Sequence, residues 1–287
     1  MGSVATTRSS TLGQAETLRA VRQAARNPWV ERLARFGLAA RGLVYTVIGM
    51  LAVQAAFFGH GATTDTHGAL REIAEQSRPL LAAVAVGLAG YALWRFVEAF
   101  LDPEKKGRSP KGLVQRGVMM GSGIIYSGLA LAAVRAFLDG TADLGDSSDG
   151  GRQIAASVLD KPFGRWLVAL AGLAVILGGV TQFVRAWKKS FEKKLMTSKM
   201  NADERRLALR TGQLGLAARG VVFVITGIFL IQAAVRYDAN QVQGLRGALD
   251  ALAAQPHGQI LLGVVALGLL AYGAYSFLEA RYRRIVF

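Results

Sequence analysis

Residues 41–56 read RGLVYTVIGMLAVQAA, and residues 219–234 read RGVVFVITGIFLIQAA. Arg-Gly opens both stretches, Gly49 and Gly227 fall at the same place, and Gln54-Ala55-Ala56 matches Gln232-Ala233-Ala234, at a constant offset of 178 without a gap. Each stretch is apolar and free of acid and proline. At 1.5 Å per residue, a helix of about 20 such residues crosses the ~30 Å hydrocarbon layer of a membrane. Widened to their apolar limits these segments run 40–59 and 215–236, and four more long apolar segments occupy 80–101, 114–138, 165–187 and 258–280. Pro28, Pro79, Pro103, Pro110, Pro162 and Pro256 all lie outside these segments or at their edges, where a helix breaker is tolerated. Six such helices leave too little polar surface for a soluble protein of 287 residues. The fold class read from the sequence is all-α, a polytopic membrane bundle of six transmembrane helices.

The repeat extends to three copies of a helical hairpin. At an offset of 81, Gly123, Ile125, Tyr126 and Arg135 fall under Gly42, Val44, Tyr45 and Gln54, with Ser122 under Arg41. In the second helices Gly87, Tyr91, Phe96, Glu98 and Ala99 match Gly268, Tyr272, Phe277, Glu279 and Ala280, and Phe183, Arg185 and Ala186 take the last three places in the middle copy. All copies run the same way through the membrane, so the repeats are parallel and predict pseudo-threefold symmetry about the membrane normal. The organisation is a polar, basic N-terminal segment 1–32, hairpins over 33–102 and 110–187, a basic linker over 188–210 and a third hairpin over 211–285. The opposite loops echo one another too. Gly68-Ala69-Leu70 resembles Gly247-Ala248-Leu249, and the pairs Leu70/Ile73 and Leu249/Leu252 predict short amphipathic helices.

Charge orients the bundle. Seven Lys and Arg precede or include Arg41, five lie from Lys105 to Arg116, ten from Arg185 to Arg219, and three follow the last helix, against eight on the other side. By the positive-inside rule both termini are cytoplasmic. The net charge of +15 sits in these loops, which assigns it to anionic lipid headgroups and not to nucleic acid, since no basic stretch carries interleaved aromatics. No apolar run precedes residue 28, so the first membrane helix itself directs insertion.

The Arg-Gly-x-x-Tyr/Phe helix followed by a Gly-x-x-x-Tyr…Phe-x-Glu-Ala helix, three times over residues 33–285, resembles a bacterial membrane family known as domain of unknown function 1206. The resemblance implies three tandem two-helix modules in a bacterial inner membrane. It implies no activity, and the middle copy departs from the pattern at Ser122 and Arg185.

Ionisable groups inside membrane helices are costly and mark packing or function. Arg41, Glu98, Ser122, Arg185, Arg219 and Glu279 form a candidate intramembrane polar network near one face. Two pairings are open: Arg with Glu inside copies one and three, or Arg185 with a glutamate of a neighbouring copy. A static salt bridge and a working network are both compatible with the pattern. Gln54, Arg135 and Gln232 form a candidate outer polar ring, or else headgroup anchors. The cysteine count is zero, which excludes disulfides and thiolate chemistry. His60, His67 and His257 have no metal-ligand spacing, and Asp139, Asp143, Asp146 and Asp149 lack a calcium-loop pattern. No nucleophile elbow or acid–base carboxylate pair is present, so neither an enzyme nor a cofactor is expected. The expected function is a non-catalytic module that organises lipid or partner proteins, with anionic membrane lipids as partners and a protein partner or homo-oligomer open. The alternative is a passive pore or small-solute transporter along the pseudo-threefold axis.

Overall fold

The computed structural model describes residues 28–58, 63–102, 107, 109–139 and 147–284. Segment 1–27, His60, Lys105, Arg108, Asp143 and Asp146 lie outside the described residues. The described α-helices, in chain order, are α1 (Pro28–Phe58), α2 (Thr66–Gln76), α3 (Arg78–Leu101), α4 (Pro110–Asp139), α5 (Ser147–Leu159), α6 (Gly164–Trp187), α7 (Ala202–Arg236), α8 (Leu245–Ala253) and α9 (Gly258–Tyr282). Six of them, α1, α3, α4, α6, α7 and α9, are long and apolar enough to cross a membrane, so the chain is a multi-pass membrane protein. Hairpins one, two and three are α1/α3, α4/α6 and α7/α9.

Local chemistry sets the helix ends. Asn201 caps α7 in a reciprocal box with Glu204, and Asp65 caps α2 through the Gly68 N–H. Pro110 opens α4 at its first position, where no intrahelical N–H is needed. Helix α7 is 35 residues long, about 52 Å at 1.5 Å per residue, and so exceeds the hydrocarbon layer. The end of segment 188–210 therefore belongs to this helix, and Arg205, Arg206 and Arg210 lie in its first turns. Phe163 and His257 adopt left-handed φ of 66° and 61° just before α6 and α9. The glycines that follow are required by space: a Cβ at Gly164 or Gly258 would stand 1.8 or 1.9 Å from a backbone oxygen of the preceding turn.

The long helices pack in the order α6, α7, α9, α1, α3, α4. The closest seams join different hairpins, and the same contacts recur at each. The ring of Phe277 lies on Gly42 at the α9–α1 seam, that of Phe96 on Gly123 at α3–α4, and that of Phe183 on Gly220 at α6–α7. Beside each seam a side chain near the start of one helix closes the carbonyls at the end of the other. Arg35 donates to Ala280 O at 2.9 Å, Arg116 to Ala99 O at 2.7 Å and Gln213 to Ala186 O at 3.2 Å. A donor, twice cationic, at a helix C-terminus satisfies orphan carbonyls and complements the helix dipole. These contacts carry the repeat from sequence into packing.

The hairpins themselves are unequal. In the first, Gly37 lets α1 approach Tyr91, with a hypothetical Cβ only 2.6 Å from the Tyr91 nitrogen; in the third, Gly215 meets Tyr272 in the same way at 2.5 Å. The middle hairpin carries Val118 where these glycines stand and Gly178 where these tyrosines stand. Val118 is 62% exposed, and among the described residues α4 and α6 are not packed on each other. Only 22% of the apolar stretch of each is buried, against 33–56% for the other four. The bundle is thus open on one side, between α4 and α6.

The end of the bundle away from residues 28 and 282 is filled by apolar side chains. Val44, Ile48, Ala52, Leu129, Ala133 and Leu269 form one core with Leu70 of α2 and Leu249 of α8. The amphipathic faces anticipated for α2 and α8 are the faces they bury, with Leu70, Ile73 and Leu249 in the core and Leu252 partly buried against it. The two short helices thereby close the bundle end. Helix α5 instead packs at the side, placing Ala155 and Leu159 against Ala233 and Ala234 of α7.

Candidate functional site

At the basic end, about one turn before the ends of α3 and α9 and nearly four turns into α1, polar side chains form a closed circuit. Arg41 donates to Glu279 Oε2 at 2.7 Å and to the Tyr91 hydroxyl at 2.6 Å. Arg283 donates to Glu279 Oε1 at 2.6 Å and to Glu98 Oε1 at 2.8 Å. Arg95 donates to Glu98 Oε2 at 2.6 Å and also to the Tyr91 hydroxyl, which returns the path to Arg41. Ser276 Oγ accepts from Arg41 at 3.3 Å while donating back to Tyr272 O. Every carboxylate oxygen of the two glutamates has its own guanidinium N–H. Arg41, Glu98, Glu279 and Arg283 are each at most 5% exposed. Buried charge persists at this density only when it is paired, and here the pairing runs through the terminal guanidinium nitrogens, since the Nε of Arg41 and of Arg95 has no partner. For Arg283, which lies past the end of α9, burial works against the charge, but Glu279 and Glu98 outweigh it and raise its pKa above the ordinary arginine value.

This circuit revises the pairings open from sequence. Arg41 meets Glu279 of the third hairpin, not Glu98 of its own, because α1 packs most closely on α9. Glu98 is instead neutralised by Arg95 and Arg283. Arg185 is exposed and Ser122 half-buried, and neither joins the circuit among the described residues. The sequence reading missed Arg95, Arg283, Tyr91 and Ser276 as members. Two of them carry a readable signal: Arg95 precedes Glu98 by three residues and Arg283 follows Glu279 by four, the spacings of neighbours on a helix face.

Arg219 stands apart. Its guanidinium donates to the Tyr272 hydroxyl at 2.7 Å and lies 4.6 Å from the Tyr272 ring centroid, 5.0 Å from Phe223 and 5.4 Å from Tyr45. Tyr272 also faces Arg41, at 5.2 Å from its ring, so one ring serves two cations. No carboxylate lies within ion-pair distance of Arg219 among the described residues, and its Nε, like those of Arg41 and Arg95, has no acceptor. It keeps part of its surface open, unlike Arg41.

Gln54 and Arg135 are exposed and Gln232 is half-buried, with no hydrogen bond joining them among the described residues. His67 is half-buried on α2, whereas His257 is exposed before α9. Asp139 and Asp149 are exposed, and Asp149 pairs with Arg152 at 3.1 Å.

The chain is similar to a protein of Bacillus subtilis (strain 168) described as "Uncharacterized protein YxxB", with 36% identity over 260 residues, 90% of this chain and 93% of that one. No solved structure gives a significant match. The family model described as "Domain of Unknown Function (DUF1206)" matches three tandem regions, residues 36–102, 118–189 and 214–283, which coincide with the three hairpins. On that threefold match, and on the three seams that repeat its contacts, the chain belongs to the DUF1206 family.

Proposed function

We propose that this protein is a non-catalytic module that organises lipid or a partner helix within the bacterial inner membrane, with its basic end toward the cytoplasm. The observation that carries the reading is the failure of α4 and α6 to pack on each other. A bundle open on its flank and filled with Ile48, Leu129, Leu70 and Leu249 at one end receives its partner from the membrane plane, not along its axis. The basic end supports a preference for anionic headgroups, since each surface Lys or Arg contributes about 1 kcal/mol of attraction to an anionic leaflet.

Purified full-length protein is reconstituted in bilayers of phosphatidylcholine and phosphatidylglycerol at 3:1, extracted, and the co-purifying lipid weighed by mass spectrometry. Enrichment of phosphatidylglycerol above its bulk share is the expected result. Retention at the bulk ratio counts against lipid organisation. Solute or ion flux in proteoliposomes that vanishes when Gln54, Arg135 and Gln232 are all changed to Leu would replace this reading with the pore.

A further inference from the structure

The three seams share one register, so the residues that meet across them can be compared place by place. At α9–α1 the pair is Glu279 and Arg41, in ion-pair contact. At α6–α7 the same two places hold Arg185 and Arg219, since Phe183 lies on Gly220 as Phe277 lies on Gly42. Arginine therefore stands in register with arginine where its counterpart stands with glutamate. Arg219 is half-buried with its guanidinium on the Tyr272, Phe223 and Tyr45 rings, and Arg185 is exposed near the end of α6. Two cations at one register of a seam, with no carboxylate in ion-pair distance of Arg219 among the described residues, call for an anion from outside the chain.

The route to that place is also written in the sequence. Tyr91 and Tyr272 fill the inside of hairpins one and three, whereas Gly178 holds the corresponding place in hairpin two. A Cβ at Gly178 would have the Phe223 ring as its nearest neighbour, at 3.7 Å, and Phe223 is the ring beneath Arg219. Ala171, Ala174, Gly178, Thr181 and Arg185 follow at spacings of three and four, so they share one face of α6, and all are exposed or half-buried. That face is smooth and apolar along its length and cationic at the basic end, which matches a lipid chain below an anionic headgroup.

We propose that Arg219 and Arg185 hold the phosphate of an anionic phospholipid that enters sideways between α4 and α6, with an acyl chain along the Ala171–Gly178 face. The phosphate plays toward Arg219 the part that Glu279 plays toward Arg41. This site rests on the lipid-organising reading above and gives it an address.

Native mass spectrometry of the detergent-solubilised full chain, titrated with dioleoylphosphatidylglycerol or dioleoylphosphatidylcholine, tests it. The wild type is expected to retain one phosphatidylglycerol in preference to phosphatidylcholine. Arg185→Gln and Arg219→Gln should each weaken that retention about tenfold or more, the scale of one charge-assisted hydrogen bond. Gly178→Tyr, which restores the tyrosine of the other hairpins, should do the same by filling the entrance. Arg281→Gln, a charge removed elsewhere at the same end, should leave it unchanged. Arg185 is exposed, so its variant keeps the test valid if Arg219→Gln fails to fold. If phosphatidylglycerol is preferred equally by wild type, Arg185→Gln and Gly178→Tyr, the site is wrong while the lipid-organising reading stands. If the wild type shows no such preference, both fall. Displacement of the lipid by millimolar inorganic phosphate would make this a free-anion site, and a second protein copy held in the lipid's stead would make it a subunit contact; either overturns the proposal.

Discussion

Glu279 of α9 meets Arg41 of α1 at 2.7 Å, with both side chains buried, and this contact locks the first and last of the described helices together across their seam. Removing Glu279 leaves Arg41 buried without a carboxylate, and removing Arg41 leaves Glu279 with Arg283 alone and its Oε2 without a donor; breaking a buried pair in this way costs roughly 3–5 kcal/mol. Arg41→Gln and Glu279→Gln are each expected to lower the thermal unfolding midpoint in detergent by many degrees. The swap Arg41→Glu with Glu279→Arg should recover part of the loss. A swap of Arg41 with Glu98 should recover none, because Glu98 is held by Arg95 and Arg283.

Arg35 serves the same seam from the surface, donating to the carbonyls of Ala280, Arg281 and Arg283. Its replacement by Ala should cost about 1 kcal/mol, in line with a cation at a helix C-terminus. The effect should be local: amide exchange should quicken over the last turn of α9 and at Arg283, while the core of α1 stays protected. Uniform quickening across the bundle would contradict a capping role.

The glycines divide into two sets. A Cβ at Gly37 would fall 2.6 Å from backbone of α3, whereas Gly117, Gly121 and Gly128 of α4 have nothing within 4 Å. Gly37→Ala is expected to destabilise by about 1–3 kcal/mol through overpacking. Gly121→Ala should be neutral or slightly stabilising in the isolated protein, because alanine is the better helix former by about 1 kcal/mol. Thermal midpoints of the two variants decide the point, and an equal loss in both would show that α4 is covered by something in solution.

Because the chain has no cysteine, single cysteines report its orientation directly. Gln255→Cys, before α9, should react with a membrane-impermeant maleimide in intact cells, and Lys199→Cys only after lysis. The opposite pattern would invert the assigned topology.

The bundle was legible because its signals are periodic and repeated: RGLVYTVIG and RGVVFVITG mark the same helix twice, and Glu98 and Glu279 mark its partner. The pairings were not legible, and the reason is geometric. A repeat says which residues are equivalent, but not whether Arg41 faces Glu98 inside its own hairpin or Glu279 across the seam. That choice follows from which helices pack most closely, and small residues such as Gly42 and Gly273, each within 3.1 Å of the other's backbone oxygen when given a Cβ, set it. The open flank was half-visible. Ser122 and Arg185 signalled a departing middle copy, but the substitutions that part α4 from α6, Val118 for glycine and Gly178 for tyrosine, look unremarkable until Tyr91 and Tyr272 are seen standing in the other hairpins.

Joining α1 to α9, the first and last of the described helices, has a consequence for biosynthesis. Arg41 and Glu279 are 238 residues apart. At about 5–20 residues per second, a ribosome needs roughly 12–48 s to reach the glutamate after the arginine has been made. During that interval the first helix has already left the translocon carrying an unneutralised guanidinium. Tyr91 emerges only 50 residues behind Arg41 and is its earliest native acceptor. The nascent chain thus waits in the bilayer as two arcs, α1–α3–α4 and α6–α7, with Arg41 held by a tyrosine hydroxyl, and the two become one bundle only when α9 is inserted between α7 and α1.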